Sequence, residues 1–112
     1  MKDLSNQLKS FADERDWNQF HSPKNLAMAL SVEASEIVEH FQWMPEKKSY
    51  SLPPDKLELV KEEIGDVLLY LVRLSDQLNI DPFVAAKEKL EKNKIKYPAE
   101  KVKGKSKKYS DY

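Results

Sequence analysis

The sequence contains no cysteine, only two glycines and no long apolar run. The absence of cysteine excludes both a disulfide framework and a thiolate metal site. The longest apolar run, from Val67 to Val72, is far too short to span a bilayer, and the first residues, Met1 to Leu4, lack the apolar core of a signal peptide. We therefore expect a soluble, cytoplasmic protein without a membrane partner.

The charges balance, with 19 lysines and arginines against 19 aspartates and glutamates among 112 residues. No overall field therefore indicates binding to nucleic acid or to an anionic membrane. The two signs are nevertheless segregated, because acids dominate the middle of the chain and lysines dominate from Lys87 onward. A basic end and an acidic centre suit a ligand that brings both phosphate and a metal ion.

Apolar residues recur at helical spacing in four segments, which predicts an all-α protein with the architecture of a four-helix bundle. A chain of this length has room for one domain, and helical units of this size often complete their burial by oligomerising. Beyond Pro98 the lysine-rich sequence has no apolar period, so we expect a helical domain over residues 1–98 and a tail over residues 99–112. The predicted helices cover about residues 2–16, 23–43, 55–79 and 82–98.

Capping signals mark the starts of two of these helices. Ser22 precedes Pro23 and Asp81 precedes Pro82, so each start combines a side-chain acceptor with a proline at the first helical position. Asn79 lies just before the second start and is expected to end the third helix in a left-handed conformation.

Two acidic pairs, Glu33/Glu36 and Glu63/Asp66, lie within the second and third predicted helices. Residues three apart share a helix face, so each pair directs two carboxylates to one point. Packing of the two helices would then gather four carboxylates, and such a cluster needs a compensating cation to stay ionised. Because the ligands are all oxygen atoms, the sequence favours a hard ion, Mg²⁺ or Mn²⁺.

Other interpretations of the acids are open at this point. Acids spaced by three are common on solvated helix faces, and the chain could be a non-catalytic helical oligomerisation module. A ferritin-like di-iron site is less consistent with the sequence, because those sites use Glu-x-x-His and no glutamate here has a histidine three residues later. His21 and His40 are interpreted as structural or surface residues.

Several separated motifs extend the pattern beyond the acids. They are Asp16-Trp17, Phe20-His21, Asn25-Leu26, the pair Glu33/Glu36, Phe41-Gln42-Trp43, the pair Glu63/Asp66 with Tyr70, the run from Asn93 to Pro98, and Lys108-Tyr109-Ser110-Asp111. Together they resemble the all-α nucleoside triphosphate pyrophosphohydrolases of the MazG-like superfamily, with the dCTP pyrophosphatases as the nearest branch. The resemblance covers about residues 8–111 and implies a homotetramer, a dimer of dimers, in which a neighbouring subunit completes each site.

The resemblance also implies roles for individual residues. The base pocket would be lined by Trp17, Trp43 and Tyr70. Where vertebrate dCTP enzymes have a histidine in the first helix, this chain has Leu8, which weakens the expectation of a strict cytosine preference. The implied metal ligands are Glu33, Glu36, Glu63 and Asp66, and the implied phosphate contacts are Asn93, Lys96, Lys108 and Tyr109.

These residue types suit hydrolysis between the α and β phosphates, which needs a metal ion, an activated water and cations on the leaving diphosphate. We expect Mg²⁺-dependent conversion of dNTP and water to dNMP and diphosphate, a reaction of nucleotide pool sanitation, with dCTP and related pyrimidine deoxynucleotides preferred. Glu36 and Glu63 are the candidate catalytic carboxylates, and the sequence does not decide which takes the proton of water. A dUTPase-like or broad-specificity pyrophosphohydrolase is the alternative within this class.

Overall fold

The structure is a computed structural model, described for residues 2–104. Over this range it contains helices and turns and no strand, which confirms the predicted all-α class. The helices are α1 (Lys2–Glu14), α2 (Pro23–Phe41), α3 (Pro54–Gln77), α4 (Pro82–Lys96) and the short α5 (Ala99–Val102), with single 3₁₀ turns at Asn18–Phe20 and Glu46–Tyr50. The predicted phosphate contacts Lys108 and Tyr109 lie outside the described residues.

The predicted capping residues start α2 and α4. The Ser22 hydroxyl accepts a hydrogen bond from the backbone N–H of Asn25 at 3.1 Å. The Asp81 carboxylate accepts from the N–H groups of Phe83 and Val84, at 2.9 and 3.2 Å. Asn79 has the expected left-handed backbone, with φ of 55°.

The first helix ends two residues before the predicted boundary. Asp16 adopts a left-handed conformation with φ of 54°. This turn allows the N–H of Trp17 to reach back to the carbonyl of Ala12 at 2.9 Å, and that of Asp16 to reach Asp13 at 3.1 Å. The pattern is that of a helix-terminating Schellman motif, which redirects the chain so that Trp17 projects back towards α1.

Residues up to Ile80 form one compact unit, and those from Asp81 onward form a second. In the first unit α2 and α3 make the most extensive helix contact, and α1 packs on α3. The buried apolar core is small, since its members are Ala12, Leu26, Val60 and Val72. Much of the remaining apolar surface of α2 and α3 is exposed in the single chain, including Met28, Val32, Leu57, Ile64 and Leu68.

The second unit contains α4 and α5. A 2.9 Å ion pair between Lys94 and Glu91 spans one turn of α4. The short helix α5 was not predicted, because residues 99–102 have no apolar period; good helix formers after Pro98 are enough for a single turn. The predicted division into a domain over residues 1–98 and a tail stays a prediction. Within residues 2–104, each helix is too short or too polar to cross a membrane.

Candidate active site

The packing of α2 on α3 brings three of the predicted carboxylates together. One oxygen atom each from Glu33, Glu36 and Glu63 lies within 4.8 Å of the others, and all three residues are half-buried. Glu33 and Glu36 stand one turn apart on α2, whereas Glu63 comes from the facing helix α3. The spacing of three residues in α2 and the pairing of the helices therefore produce the predicted convergence.

The cluster is short of positive charge and of hydrogen-bond donors. Oε2 of Glu33 and Oε2 of Glu63 are hidden from solvent, and neither has a hydrogen-bond partner in the described part of the chain. Burial raises the pKa of Glu33 to about 7, assisted by hydrogen bonding to Glu36 and by the charges of Glu36, Asp66 and Glu63. Hydrogen bonding to Glu36 raises the pKa of Glu63 as well, assisted by burial and neighbouring carboxylates.

These properties fit a divalent cation. Carboxylates that are buried close together without donors must either take up protons or hold a cation that replaces the lost solvation. An all-oxygen donor set suits hard ions such as Mg²⁺ and Mn²⁺. The unsatisfied oxygens of Glu33 and Glu63 are therefore the features of this chain that best match a bound metal ion.

Asp66, the fourth predicted ligand, occupies a different position. It lies one turn after Glu63 on α3, is exposed, and does not belong to the converging group among the described residues. Asp66 instead lines a cavity, although its charge contributes to the raised pKa of Glu33 and of Glu63. Its role as a ligand stays a prediction.

His40 lies beside the acidic cluster, a position that its interpretation as a structural or surface residue did not include. Its Nε2 atom is 3.9 Å from Oε1 of Glu63, and both side chains are largely buried. The His40 charge opposes the other influences on Glu63 and lowers its pKa. The spacing of four residues from Glu36 was the available signal, since it places both side chains on one face of α2.

The cavity beside Asp66 has a volume of about 210 Å³ and lies within the first compact unit. Its walls come from α1, from the connector that follows α1, and from α3. Trp17 makes edge-to-face contacts with Phe11, at a ring-centroid distance of 5.5 Å, and with His21, at 6.2 Å. The cavity thus brings together Leu8 and two of the three predicted base-pocket residues, Trp17 and Tyr70. It is lined by Leu8, Phe11, Trp17, His21, Asp66, Leu69, Tyr70 and Arg73.

Arg73 is the cavity residue that the sequence interpretation missed. Its side chain lies at the end of the cavity wall formed by α3, and the residue is only 6% exposed. The guanidinium donates from Nε to Nδ1 of His21 at 3.2 Å and from Nη2 to Oδ1 of Asn18. Burial and the Arg73 charge lower the pKa of His21. The spacing of three residues from Tyr70 could have placed Arg73 on the same helix face.

The other predicted substrate contacts lie elsewhere in the chain. Trp43 follows the end of α2, is 87% exposed and is not part of the cavity wall. Asn93 and Lys96 lie on α4 in the second unit, where the charge of Lys96 lowers the pKa of Lys89. The proposed roles of all three in substrate binding stay predictions.

The chain is similar in sequence to known proteins and to a solved structure. The dCTP pyrophosphatase 1 proteins of Mus musculus and Homo sapiens are each 37% identical to it over 113 and 115 residues, which is 99% of this chain and 66% of each relative. The chain therefore spans about two thirds of their length. A crystal structure of a pyrophosphatase from Archaeoglobus fulgidus is 42% identical and superposes with a TM-score of 0.83, covering 88% of this chain and 92% of that one.

The same relationship appears at the level of the family. The model of the MazG-like family matches residues 28–112, a range that begins in α2 and includes all four predicted metal ligands. The resemblance inferred from the separated motifs is thereby confirmed, and the chain belongs to the MazG-like family.

Proposed function

We propose that this protein is a nucleoside triphosphate pyrophosphohydrolase that depends on Mg²⁺, with Mn²⁺ as a substitute, and converts dNTP and water to dNMP and diphosphate. The observation that carries the proposal is the convergence of Glu33, Glu36 and Glu63, two of which keep a buried oxygen without a donor. Asp66, one helical turn after Glu63, also lines the aromatic cavity. A ligand with a base at one end and a charged triphosphate at the other matches both features.

Glu33, Glu36 and Glu63 would hold the metal, with Asp66 as the fourth predicted ligand. When bound, the ion supplies neutralisation of the triphosphate charge and polarisation of the phosphorus to be attacked. Glu36 and Glu63 are the candidates to take a proton from the attacking water. A carboxylate that lies beside the metal is close enough to accept that proton, and both residues belong to the converging group.

The cavity is the proposed site of the base. Trp17 and Tyr70 supply aromatic walls, and stacking of a nucleobase on such a side chain contributes roughly 1–3 kcal/mol. We include Trp43 because its exposed indole is available to a ligand or to a neighbouring subunit. The phosphates would contact Asn93, Lys96, Lys108 and Tyr109. Pyrimidine deoxynucleotides, dCTP foremost, are the proposed substrates.

A homotetramer built as a dimer of dimers is the proposed assembly. The exposed apolar residues of α2 and α3 support it, since a single chain leaves Met28, Val32, Ile64 and Leu68 in contact with water. Met28 and Val32 stand one turn apart on α2, as do Ile64 and Leu68 on α3, and exposed apolar surface of this kind marks contacts between proteins. Light scattering coupled to gel filtration tests the assembly, because a monomer in solution would contradict it.

The function is tested with a panel of common dNTPs and NTPs in the presence of Mg²⁺, with diphosphate and orthophosphate measured separately. We expect diphosphate from dCTP and related pyrimidine deoxynucleotides. Leu8 in the cavity wall favours the alternative of a broad-specificity enzyme, because leucine offers no hydrogen bond to a base edge. Equal turnover of purine and pyrimidine substrates would support that alternative.

A further inference from the structure

Arg73 is a buried cation without an anionic partner in the described part of the chain. Among residues 2–104, no carboxylate lies within 4 Å of its guanidinium, and its hydrogen-bond acceptors are the neutral groups of His21 and Asn18. A buried charge that lacks an opposite charge is costly to folding unless several strong hydrogen bonds satisfy it. Arg73 nevertheless lines the cavity with only 6% of its surface exposed.

The guanidinium also retains unused donors. An arginine side chain has five N–H groups. Two of them are used, one by Nδ1 of His21 and one by Oδ1 of Asn18, which leaves three without an acceptor in the described chain. These three are available to a ligand that enters the cavity.

His21, which also lines the cavity, adds a further N–H donor. Because Nδ1 accepts a hydrogen bond from Arg73, the proton of the neutral imidazole must be on Nε2. The low pKa of His21 agrees with a neutral ring. Arg73 and His21 therefore bring N–H groups to the cavity wall, which otherwise consists of apolar and aromatic residues and Asp66.

We propose that Arg73 is a specificity-determining residue that reads the base of the nucleotide, donating two parallel N–H groups to adjacent acceptors on the base edge. The inference rests on the proposed function, since it requires the base to enter this cavity. A planar guanidinium fork matches two neighbouring acceptors better than any other side chain. Leu8 and Leu69 add apolar surface to the cavity wall, and hydrogen bonds are stronger in such surroundings than in water.

The bases differ in what they offer to such a fork. Cytosine presents N3 and O2, two adjacent acceptors, whereas uracil and thymine carry a hydrogen on N3 that would point at an arginine donor. Guanine presents O6 and N7, which arginine also binds in pairs. The cavity of about 210 Å³ lies below the roughly 300–1,000 Å³ of common ligand pockets, which favours the smaller cytosine.

The test compares kcat/KM for dCTP, dUTP, dTTP and dGTP in the wild-type protein, Arg73→Ala and Arg73→Lys. We expect the ratio of dCTP to dUTP to fall by roughly tenfold or more in both variants, because lysine keeps the charge but has no planar fork. Gln77→Ala is the matched control. Gln77 donates to the backbone carbonyl of His21 at 2.7 Å, so its loss loosens the same connector without removing the guanidinium. The ratio should stay at its wild-type value in that variant.

A substrate analogue keeps the test decisive if the Arg73 variants fold poorly. In 3-deaza-dCTP a C–H group replaces N3 while O2 and the amino group remain. The wild-type protein should discriminate against this analogue by a similar factor, and a folded Arg73→Ala variant should not distinguish it from dCTP. Calorimetric titration with dCMP and dUMP examines base reading without turnover, and tighter binding of dCMP is expected.

Three results would overturn the role of Arg73. They are an unchanged ratio of dCTP to dUTP in folded Arg73→Ala, equal use of dCTP and 3-deaza-dCTP by the wild-type protein, and a wild-type preference for dGTP over dCTP that persists in Arg73→Ala. Failure of the proposed function looks different, since no dNTP would then yield diphosphate. In that case, equal binding of dCMP and dUMP would also refute base reading by Arg73.

Discussion

Glu33 on α2 and Glu63 on α3 bring carboxylate oxygens within 4.8 Å of each other, and each keeps its Oε2 atom hidden from water without a donor. Two like charges held in this way raise the free energy of the metal-free fold. The arrangement destabilises the metal-free chain, and it is consistent with a site that binds a cation. Four predictions about the site follow from this charge and from the aromatic residues near it.

Removal of one acid of the cluster should greatly reduce the thermal stabilisation that Mg²⁺ provides. Millimolar Mg²⁺ should raise the Tm of the wild-type protein, because an ion that binds only the folded state stabilises it. Glu63→Gln should lose most of that increase, since it removes a converging ligand. Glu62→Gln is the matched control, because it removes the same charge from the adjacent exposed position. Thermal unfolding with and without Mg²⁺ measures the effect, and equal responses of the two variants would contradict a shared metal site.

The metal-free protein should lose stability as the pH rises. The pKa of Glu33 is raised from 4.5 to about 7 in the folded chain, so the folded state holds this proton more tightly than the unfolded state. The corresponding stability is fully present below pH 4.5 and is lost as the pH rises through about 7. Urea unfolding in EDTA at several pH values measures the trend. Glu33→Gln should flatten the profile, and a wild-type stability that increases over this range would argue against the raised pKa.

Replacement of Glu63 or of Asp66 by alanine should have the same effect on turnover but different effects on stability. Both variants should lose turnover, because both residues are proposed ligands. In metal-free buffer Glu63→Ala should be as stable as the wild-type protein or more stable, since it relieves repulsion within the cluster. Asp66→Ala should change stability less, because its side chain is exposed. Steady-state rates and urea midpoints provide the comparison; retained activity in both variants would exclude the acids from the site.

Replacement of Trp17 or Trp43 by alanine should affect the stability of the protein differently. Trp43→Ala should lower kcat/KM for dCTP by more than about tenfold while Mg²⁺ binding persists, since the proposed stacking is lost and the carboxylates are untouched. Its effect on the stability of the single chain should be small, because the indole is 87% exposed. Trp17→Ala should in addition lower the Tm, because Trp17 packs on Phe11 and His21. Normal kinetics of Trp43→Ala would remove that residue from the base site.

The sequence predicted local features well. The structure contains the predicted helix caps at Ser22 and Asp81, the left-handed backbone at Asn79 and the all-helical class. Each of these features depends on residues that are near one another in the sequence. The convergence of Glu33, Glu36 and Glu63 was also predictable, because helical spacing and the facing of two helices determine it. The motifs that indicated the MazG-like family extend along the chain and led to the correct family.

Contacts between distant segments could not be read from spacing. The burial of Arg73 depends on a connector more than 50 residues earlier, where Asn18 and His21 lie. The approach of His40 to Glu63 likewise requires the packing of α2 on α3. The end of α1 was placed too late, because a left-handed aspartate such as Asp16 is less common than a left-handed glycine or asparagine.

The decisive measurement is the product formed from dCTP and Mg²⁺ by the wild-type protein, Glu63→Gln and the control Glu62→Gln, followed by separation of diphosphate from orthophosphate. We predict dCMP and diphosphate in equal amounts from the wild-type and control proteins. Glu63→Gln should produce neither above background, because it removes a candidate base and metal ligand while the fold persists. Orthophosphate as the first product, or diphosphate from Glu63→Gln at the wild-type rate, would contradict pyrophosphohydrolysis at the cluster of Glu33, Glu36 and Glu63.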